Sequence, residues 1–176
     1  MLVELNLPLA LTNILSMASE VLLPAIGPAA QEKFGTNMSE LEKFLMDRLA
    51  GYFREAGYTV QEIDAVISLQ PEQLGLVPKQ LEAVRAFSTL SEADSLAAAN
   101  KRVGNILKKA ETRIEANINA SLLKEPAESK LANALASVKP EADAAFERGD
   151  YTASLKALAA LKAPVDDFFD HVMVNA

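Results

Sequence analysis

Apolar residues recur every three or four positions between residues 96 and 114, and this spacing restricts the possible fold more than any other feature. At about 100° per residue they share one narrow helical arc. They are Leu96, Ala99, Val103, Ile106, Leu107, Ala110 and Ile114. Ala, Leu, Glu and Lys dominate elsewhere, without the alternation typical of strands. Since half of the residues are hydrophobic, the chain can bury a sizeable core, and the sequence predicts an all-α helical bundle.

Start and stop signals divide this pattern into eight helices. Two capping boxes, Ser39–Glu42 and Thr59–Glu62, indicate helix starts. Gly57 and Gly149 stand where a left-handed stop is needed. Three prolines, Pro78, Pro126 and Pro164, suit first turns, and Gly104 within the longest helix indicates a close helix–helix approach. The helices are predicted near residues 10–23, 40–56, 60–69, 79–89, 92–120, 127–147, 151–161 and 164–176.

Proline and glycine concentrate between residues 24 and 38, which predicts a loop and the best candidate domain boundary. We therefore expect a helical segment and loop over 1–38 that leads in from a longer parent chain, and a second domain over 39–176. Residues 168–169 and 172–174 are apolar, and no helix-stop signal follows them, so this end also suggests a cut.

Composition excludes several classes of function. The chain has no Cys and one His, which removes disulfides, thiolate zinc sites and Cys nucleophiles and makes a hydrolase triad improbable. The formal net charge is −7, which argues against general nucleic-acid binding but not against a local basic patch. We find neither a signal-peptide pattern nor an uninterrupted apolar run of about 18 residues, so the expected location is the cytoplasm, away from membranes.

One local basic patch does occur, on the face of the longest helix opposite its apolar arc. Its polar members are Lys101, Arg102, Asn105, Lys108, Lys109, Thr112 and Arg113. A concentration of cations on one helix face can face phosphates, although a solvated helix face is the more frequent explanation of such a pattern.

Three carboxylates near the end of the chain are the other candidate chemistry. Asp166, Asp167 and Asp170 could pair as acid and base or hold Mg²⁺. They also follow Pro164, where carboxylates would interact favourably with the positive end of a helix dipole. For His171, beside Phe168 and Phe169, a partly buried structural role is the favoured interpretation.

Several ordered blocks resemble the bacterial glycyl-tRNA synthetase beta subunit family. The longest block is 97–109, in the predicted long helix. The others are Leu7-Pro8-Leu9, Phe44 to Leu49, Gly57-Tyr58, Asp64 to Val66, Leu123 to Pro126 with Lys130-Leu131, and Pro164 to Val174. Together they span nearly the whole chain in order, and such a set is more specific than any single block.

The resemblance implies a helical anticodon-binding domain of the DALR type, from the carboxyl-terminal region of that subunit. It implies tRNA for glycine as ligand and the glycyl-tRNA synthetase alpha subunit as partner in an α2β2 assembly. The whole enzyme attaches glycine to its tRNA with ATP and Mg²⁺, whereas this chain is expected to carry no cofactor and no catalytic or metal-binding residue. The family continues past Val174 into a further helix with the DALR-like motif, so we expect that helix to be lacking here.

In this interpretation the basic face meets the anticodon arm and not DNA. Lys101, Arg102, Lys108, Lys109 and Arg113 would contact phosphates, and Asn105 would contact a base edge. Arg48 and Arg54, on the predicted helix 40–56, are further candidates, or they pair with Asp47 or Glu55. Two alternatives stay open. The chain could be a helical protein–protein interaction module without RNA binding, or a small helical enzyme that uses Asp166 and Asp170.

Overall fold

The computed structural model describes residues 1–109 and 117–173, with only the backbone described over 28–37. Throughout these residues the regular elements are helices, and the one extended pairing is an isolated bridge between Ala10 and Gln73. The prediction of an all-α fold is therefore confirmed. The chain divides into two compact units, Met1–Val84 and Arg85–Ala176.

The first unit contains α1 (Leu11–Leu22), α2 (Pro28–Glu55), α3 (Val60–Ile67) and the start of α4 (Val77–Ser88). Short 3-10 turns cover Leu23–Ala25 and Leu74–Leu76. Apolar side chains from these elements form its core, and those of Ile63, Val77 and Leu81 are almost completely buried. The bridge at Ala10 and a 2.8 Å hydrogen bond from the Leu11 amide to the Glu72 carbonyl attach the amino-terminal segment to this core.

The second unit contains α5 (Ala93–Lys109), α6 (Pro126–Glu147), α7 (Tyr151–Ala159) and α8 (Lys162–His171), with a 3-10 turn over Ala120–Leu122. Helix α6 packs against α7 and α8, and α5 packs against α8. The buried residues of α6 are the alanines at 127, 142 and 145, and such small side chains let neighbouring helices approach closely. Helix α8 is thereby fixed between α5 and α6, which decides what the face of α5 contacts.

Most local signals in the sequence are confirmed. Thr59 accepts a hydrogen bond from the Glu62 amide while the Glu62 carboxylate accepts one from the Thr59 amide, which completes the predicted capping box. Gly57 and Gly149 have φ angles of 88° and 75°, in the left-handed region. Pro126 opens α6, and Pro78 lies in the first turn of α4.

The predicted loop over residues 24–38 is wrong. The backbone is helical from Pro28, with Gly27 as N-cap, and α2 continues without a break to Glu55. Proline is compatible with the first helical turn, and glycine with the cap that precedes it, so residues that suggested a loop instead start a helix. Ser39 therefore lies inside α2 and is not an N-cap. The division into domains at residue 38 stays a prediction.

Two helix ends also differ from the predictions. The helix predicted over 92–120 extends over 93–109, and residues 117–119 are not helical. Asn119 instead accepts a hydrogen bond from the Ser121 amide and caps the following turn. Residues 110–116 lie outside the described part of the chain. The last helix starts at Lys162 and ends at His171, after which Val172 is extended, so the predicted extension toward residue 176 is wrong at 172–173.

The apolar arc of α5 is rotated relative to its predicted position. Leu107 and Val103, both predicted to belong to this arc, are 50% and 40% exposed. Leu96, Ala99 and Ile106 are half-buried, as predicted. Two residues outside the predicted arc, Ser95 and Arg102, also contact side chains of α8. Arg102 can lie on the side of α5 that contacts α8 because its guanidinium lies over the ring of an α8 phenylalanine. Ala110 and Ile114 lie outside the described residues.

Candidate nucleic-acid interface

The exposed basic face of α5 forms a shallow depression of about 340 Å³. Four of the predicted contact residues line it: Lys101, Arg102, Asn105 and Lys109. Asn105 lies three or four residues from each of the others, so its side chain is a neighbour of all three on the helix surface. Between 101 and 109 the sequence has four cations and no acid. The depression therefore combines positive charge with one amide that can both donate and accept hydrogen bonds.

The remaining predicted residues are placed differently. Lys108 is exposed on α5 but does not line the depression, and Arg113 lies outside the described residues. Arg48 and Arg54 belong to α2 in the first compact unit and are both exposed. The Arg48 guanidinium lies 5.1 Å from the centroid of the Phe44 ring. The structure thus brings together four of the eight predicted residues, and the RNA-binding role of all eight stays a prediction.

Arg102 differs from the three other polar side chains that line the depression in having an aromatic partner. Its guanidinium carbon lies 4.2 Å from the centroid of the Phe169 ring, well within the range of a cation–π contact. Phe169 comes from α8 and packs edge-to-face against Phe168 at a centroid distance of 5.3 Å. This pair was not predictable from the sequence pattern, because residues 102 and 169 are distant in the chain. The only available signal was the unusual Phe168-Phe169 dipeptide.

Asp166 and Asp167, two of the three carboxylates of α8, form ion pairs within the second unit. Asp166 contacts Lys162 Nζ at 2.7 Å and accepts a 2.7 Å hydrogen bond from the Ser95 hydroxyl. The hydrogen bonds from Lys162 and Ser95 lower the pKa of Asp166, and the bond to Asp166 raises the pKa of Lys162. The first turn of α8 contains no acidic residue. The position of Asp166 is therefore explained by its bonds to Lys162 and Ser95 and not by the helix dipole.

Asp167 makes a second ion pair, with Lys130 of α6 at 3.1 Å. His171 is exposed, not partly buried as predicted, and its Nδ1 lies 2.9 Å from the Asp167 carbonyl oxygen. Among the described residues, no group of three or more His, Asp and Glu side chains could hold a metal ion. The carboxylates thus connect α8 to α5 and α6, which favours a structural role over an acid–base pair.

Residues 96–176 match the DALR anticodon binding domain. The match covers slightly less than half of the chain. The matched segment contains all of the described residues that line the depression on α5. The match begins at residue 96, so the expectation that the anticodon-binding domain extends back to residue 39 stays a prediction.

The whole chain is also similar to proteins named glycine–tRNA ligase beta subunit. It is 59% identical over 164 residues to that of Methylobacillus flagellatus and 58% identical over 175 residues to that of Leptothrix cholodnii, which covers 92% and 99% of the chain. The protein from Acidovorax ebreus is 56% identical over the full 176 residues. The chain spans about 23% of the length of each relative. The resemblance found from the sequence is confirmed, and the DALR segment lies inside it.

Proposed function

We propose that the DALR segment binds the anticodon arm of a tRNA through the depression on α5. The most direct support is that four polar side chains line this depression together, within the segment that matches the family: Lys101, Arg102, Asn105 and Lys109. The chain as a whole is acidic, so a cationic depression on it is a local feature that can select an anionic ligand.

The chemistry of these side chains suits an RNA loop. Lysine ammonium groups attract phosphates as point charges, and they contribute affinity that falls as salt rises. The Asn105 amide can hydrogen-bond to the edge of an unpaired base, and such edges are accessible in loops but not in the deep groove of an RNA duplex. The lysines would therefore position the RNA, and Asn105 would contribute to base selection.

The similarity to glycine–tRNA ligase beta subunits supports a wider proposal. We propose that this chain recognises tRNA for an enzyme that attaches glycine to tRNA with ATP. That enzyme would be a cytoplasmic α2β2 assembly with an alpha subunit. ATP and Mg²⁺ would be used elsewhere in that assembly, and the isolated chain would be inactive in ligation. Along the described residues, none of the helices combines the length and apolarity needed to cross a bilayer.

A titration with tRNA tests the proposal. The 176-residue chain is titrated at several salt concentrations with a tRNA that carries a glycine anticodon and with the same tRNA after the anticodon is replaced. Tighter binding of the glycine form, with affinity that falls steeply as salt rises, is the expected result. Failure to bind either tRNA would contradict the proposal and favour a protein–protein interaction module. Equal binding of both would retain RNA binding and reject anticodon selection.

A further inference from the structure

We infer that Arg102 and Phe169 form a stacking platform on which one unpaired base of the bound RNA rests. The inference rests on the proposed function and changes the role of Arg102 within it, from a phosphate contact to a base contact. It also adds Phe169 of α8 to the binding surface as the residue that positions the guanidinium.

The geometry separates Arg102 from its lysine neighbours. The guanidinium carbon lies over the Phe169 ring at 4.2 Å from the centroid, so the ring lies against one side of this group. The residue nevertheless remains exposed and lines the depression. A planar group with a ring against one side and an accessible other side presents a flat surface, which a lysine ammonium cannot do.

A nucleobase fits this surface better than a phosphate does. Unpaired RNA bases stack on arginine guanidinium planes as well as on aromatic rings. A guanidinium held by a ring loses less side-chain entropy when it binds, because its orientation is already restricted. Asn105, three residues further along the same face, lines the same depression and can hydrogen-bond to the edge of a base stacked there. Lys101 and Lys109 remain the residues that bind phosphates.

The partners of α8 keep the platform in place. Asp166 on α8 accepts the Ser95 hydrogen bond from α5, and Asp167 pairs with Lys130 of α6. Both interactions lie within one turn of Phe169, so they fix the register of the ring beneath α5. Contacts within the chain itself therefore hold Phe169 against Arg102.

A double-mutant cycle tests the platform. Anticodon-arm hairpins are made with one loop nucleotide at a time replaced by an abasic residue, and each is titrated against the 176-residue chain and its Arg102→Lys variant. Lysine keeps the charge and removes the plane. We expect Arg102→Lys to weaken binding of the intact hairpin about 5- to 150-fold, the effect of removing one stacked base, with an unchanged salt slope. For one abasic hairpin, the variant and the parent chain should bind equally.

Two further variants complete the experiment. Phe169→Leu should weaken binding of the intact hairpin and leave binding of that same abasic hairpin unchanged. The control is Phe146→Leu, which removes an exposed ring of the same unit that packs on Tyr151. It should leave binding unchanged. Because Phe169→Leu could also loosen α8, Arg102→Lys decides the result. Two results would overturn the platform while leaving tRNA binding intact. In the first, Arg102→Lys binds the intact hairpin as tightly as the parent chain does. In the second, the loss caused by Arg102→Lys adds to the loss caused by the abasic residue at every loop position. Absence of hairpin binding by the parent chain would overturn the proposed function and the platform together.

Discussion

The hydroxyl of Ser95 on α5 donates a 2.7 Å hydrogen bond to Oδ1 of Asp166 on α8. The same carboxylate pairs with Lys162 through its other oxygen. One side chain thus joins two helices and compensates the charge of a lysine one turn away. Both charged side chains are 39% exposed, so solvent screens the pair, and its effect on stability should appear mainly as a dependence on pH.

The first prediction concerns this dependence. The pKa of Asp166 is lowered in the folded chain by its bonds to Lys162 and Ser95, so its contribution is fully present above the ordinary aspartate pKa of 3.8 and is lost as the pH falls through the lower folded value. Asp166→Asn should reduce the urea midpoint at pH 7 and have a smaller effect near pH 3. The exposed Asp170→Asn is the control. An equal loss of stability at both pH values would show that the carboxylate charge is not responsible.

The second prediction tests the phosphate-binding lysines of α5. Lys101→Glu with Lys109→Glu should weaken tRNA binding and reduce the salt slope by about 0.7–0.9 for each phosphate that is no longer neutralised. The control makes the same change of charge at two exposed lysines outside the depression, Lys79→Glu with Lys156→Glu. If both pairs of substitutions changed affinity and slope equally, net charge and not the depression would explain RNA binding.

A third prediction uses the rotated arc of α5. Since Leu107 is 50% exposed, Leu107→Ala should cost less than about 1 kcal/mol of unfolding free energy, not the several kcal/mol that a central core position would imply. Leu161→Ala, at a buried position in the same unit, should cost about 2–5 kcal/mol. Urea denaturation followed by circular dichroism compares them. A larger loss of stability for Leu107→Ala would restore the helix phase predicted from the sequence.

Helix starts in the first unit provide the fourth prediction. Thr59 caps α3, so Thr59→Ala should lower the unfolding free energy by about 1 kcal/mol. Ser39 lies inside α2 and is exposed, so Ser39→Ala should be neutral or stabilise by a few tenths of a kcal/mol, because alanine is the better helix former. Thermal melts distinguish the two. Similar destabilisation by both substitutions would mean that a helix begins at Ser39.

Two glycines give the fifth prediction. A Cβ atom at Gly75 would lie 2.9 Å from the Leu7 carbonyl oxygen, so Gly75→Ala should destabilise the first unit by about 1–3 kcal/mol. At Gly104 a Cβ would meet no described atom within 4 Å, contrary to the close helix approach expected there. Gly104→Ala should therefore stabilise α5 by about 1 kcal/mol. A urea midpoint of Gly104→Ala below that of the parent chain would show that Gly104 serves a tight packing contact.

Short-range features were predictable from the sequence because their causes are short-range. The capping box at Thr59 and the left-handed Gly57 depend on residues within one turn. The helical start at Pro28 was missed because proline and glycine are frequent both in loops and at helix starts. The basic face of α5 was predicted from its period, but its rotation was not, because Phe169 and Asp166 decide it from another helix. Apart from the Phe168-Phe169 dipeptide, the sequence contains no signal for such a pair.

The attachment of the amino-terminal segment to residues 72–75 affects how the first unit reaches its fold. Ala10 pairs with Gln73, and the Leu11 amide bonds to the Glu72 carbonyl, so the ends of this unit meet only after the intervening chain closes a long loop. By contrast, α6 and α7 pack together across a short turn at Gly149. Contacts between distant residues form slowly, and local ones form fast. During synthesis the amino-terminal segment therefore cannot attach to the first unit until Gln73 has left the ribosome, whereas the α6–α7 pair can form as soon as its own residues emerge.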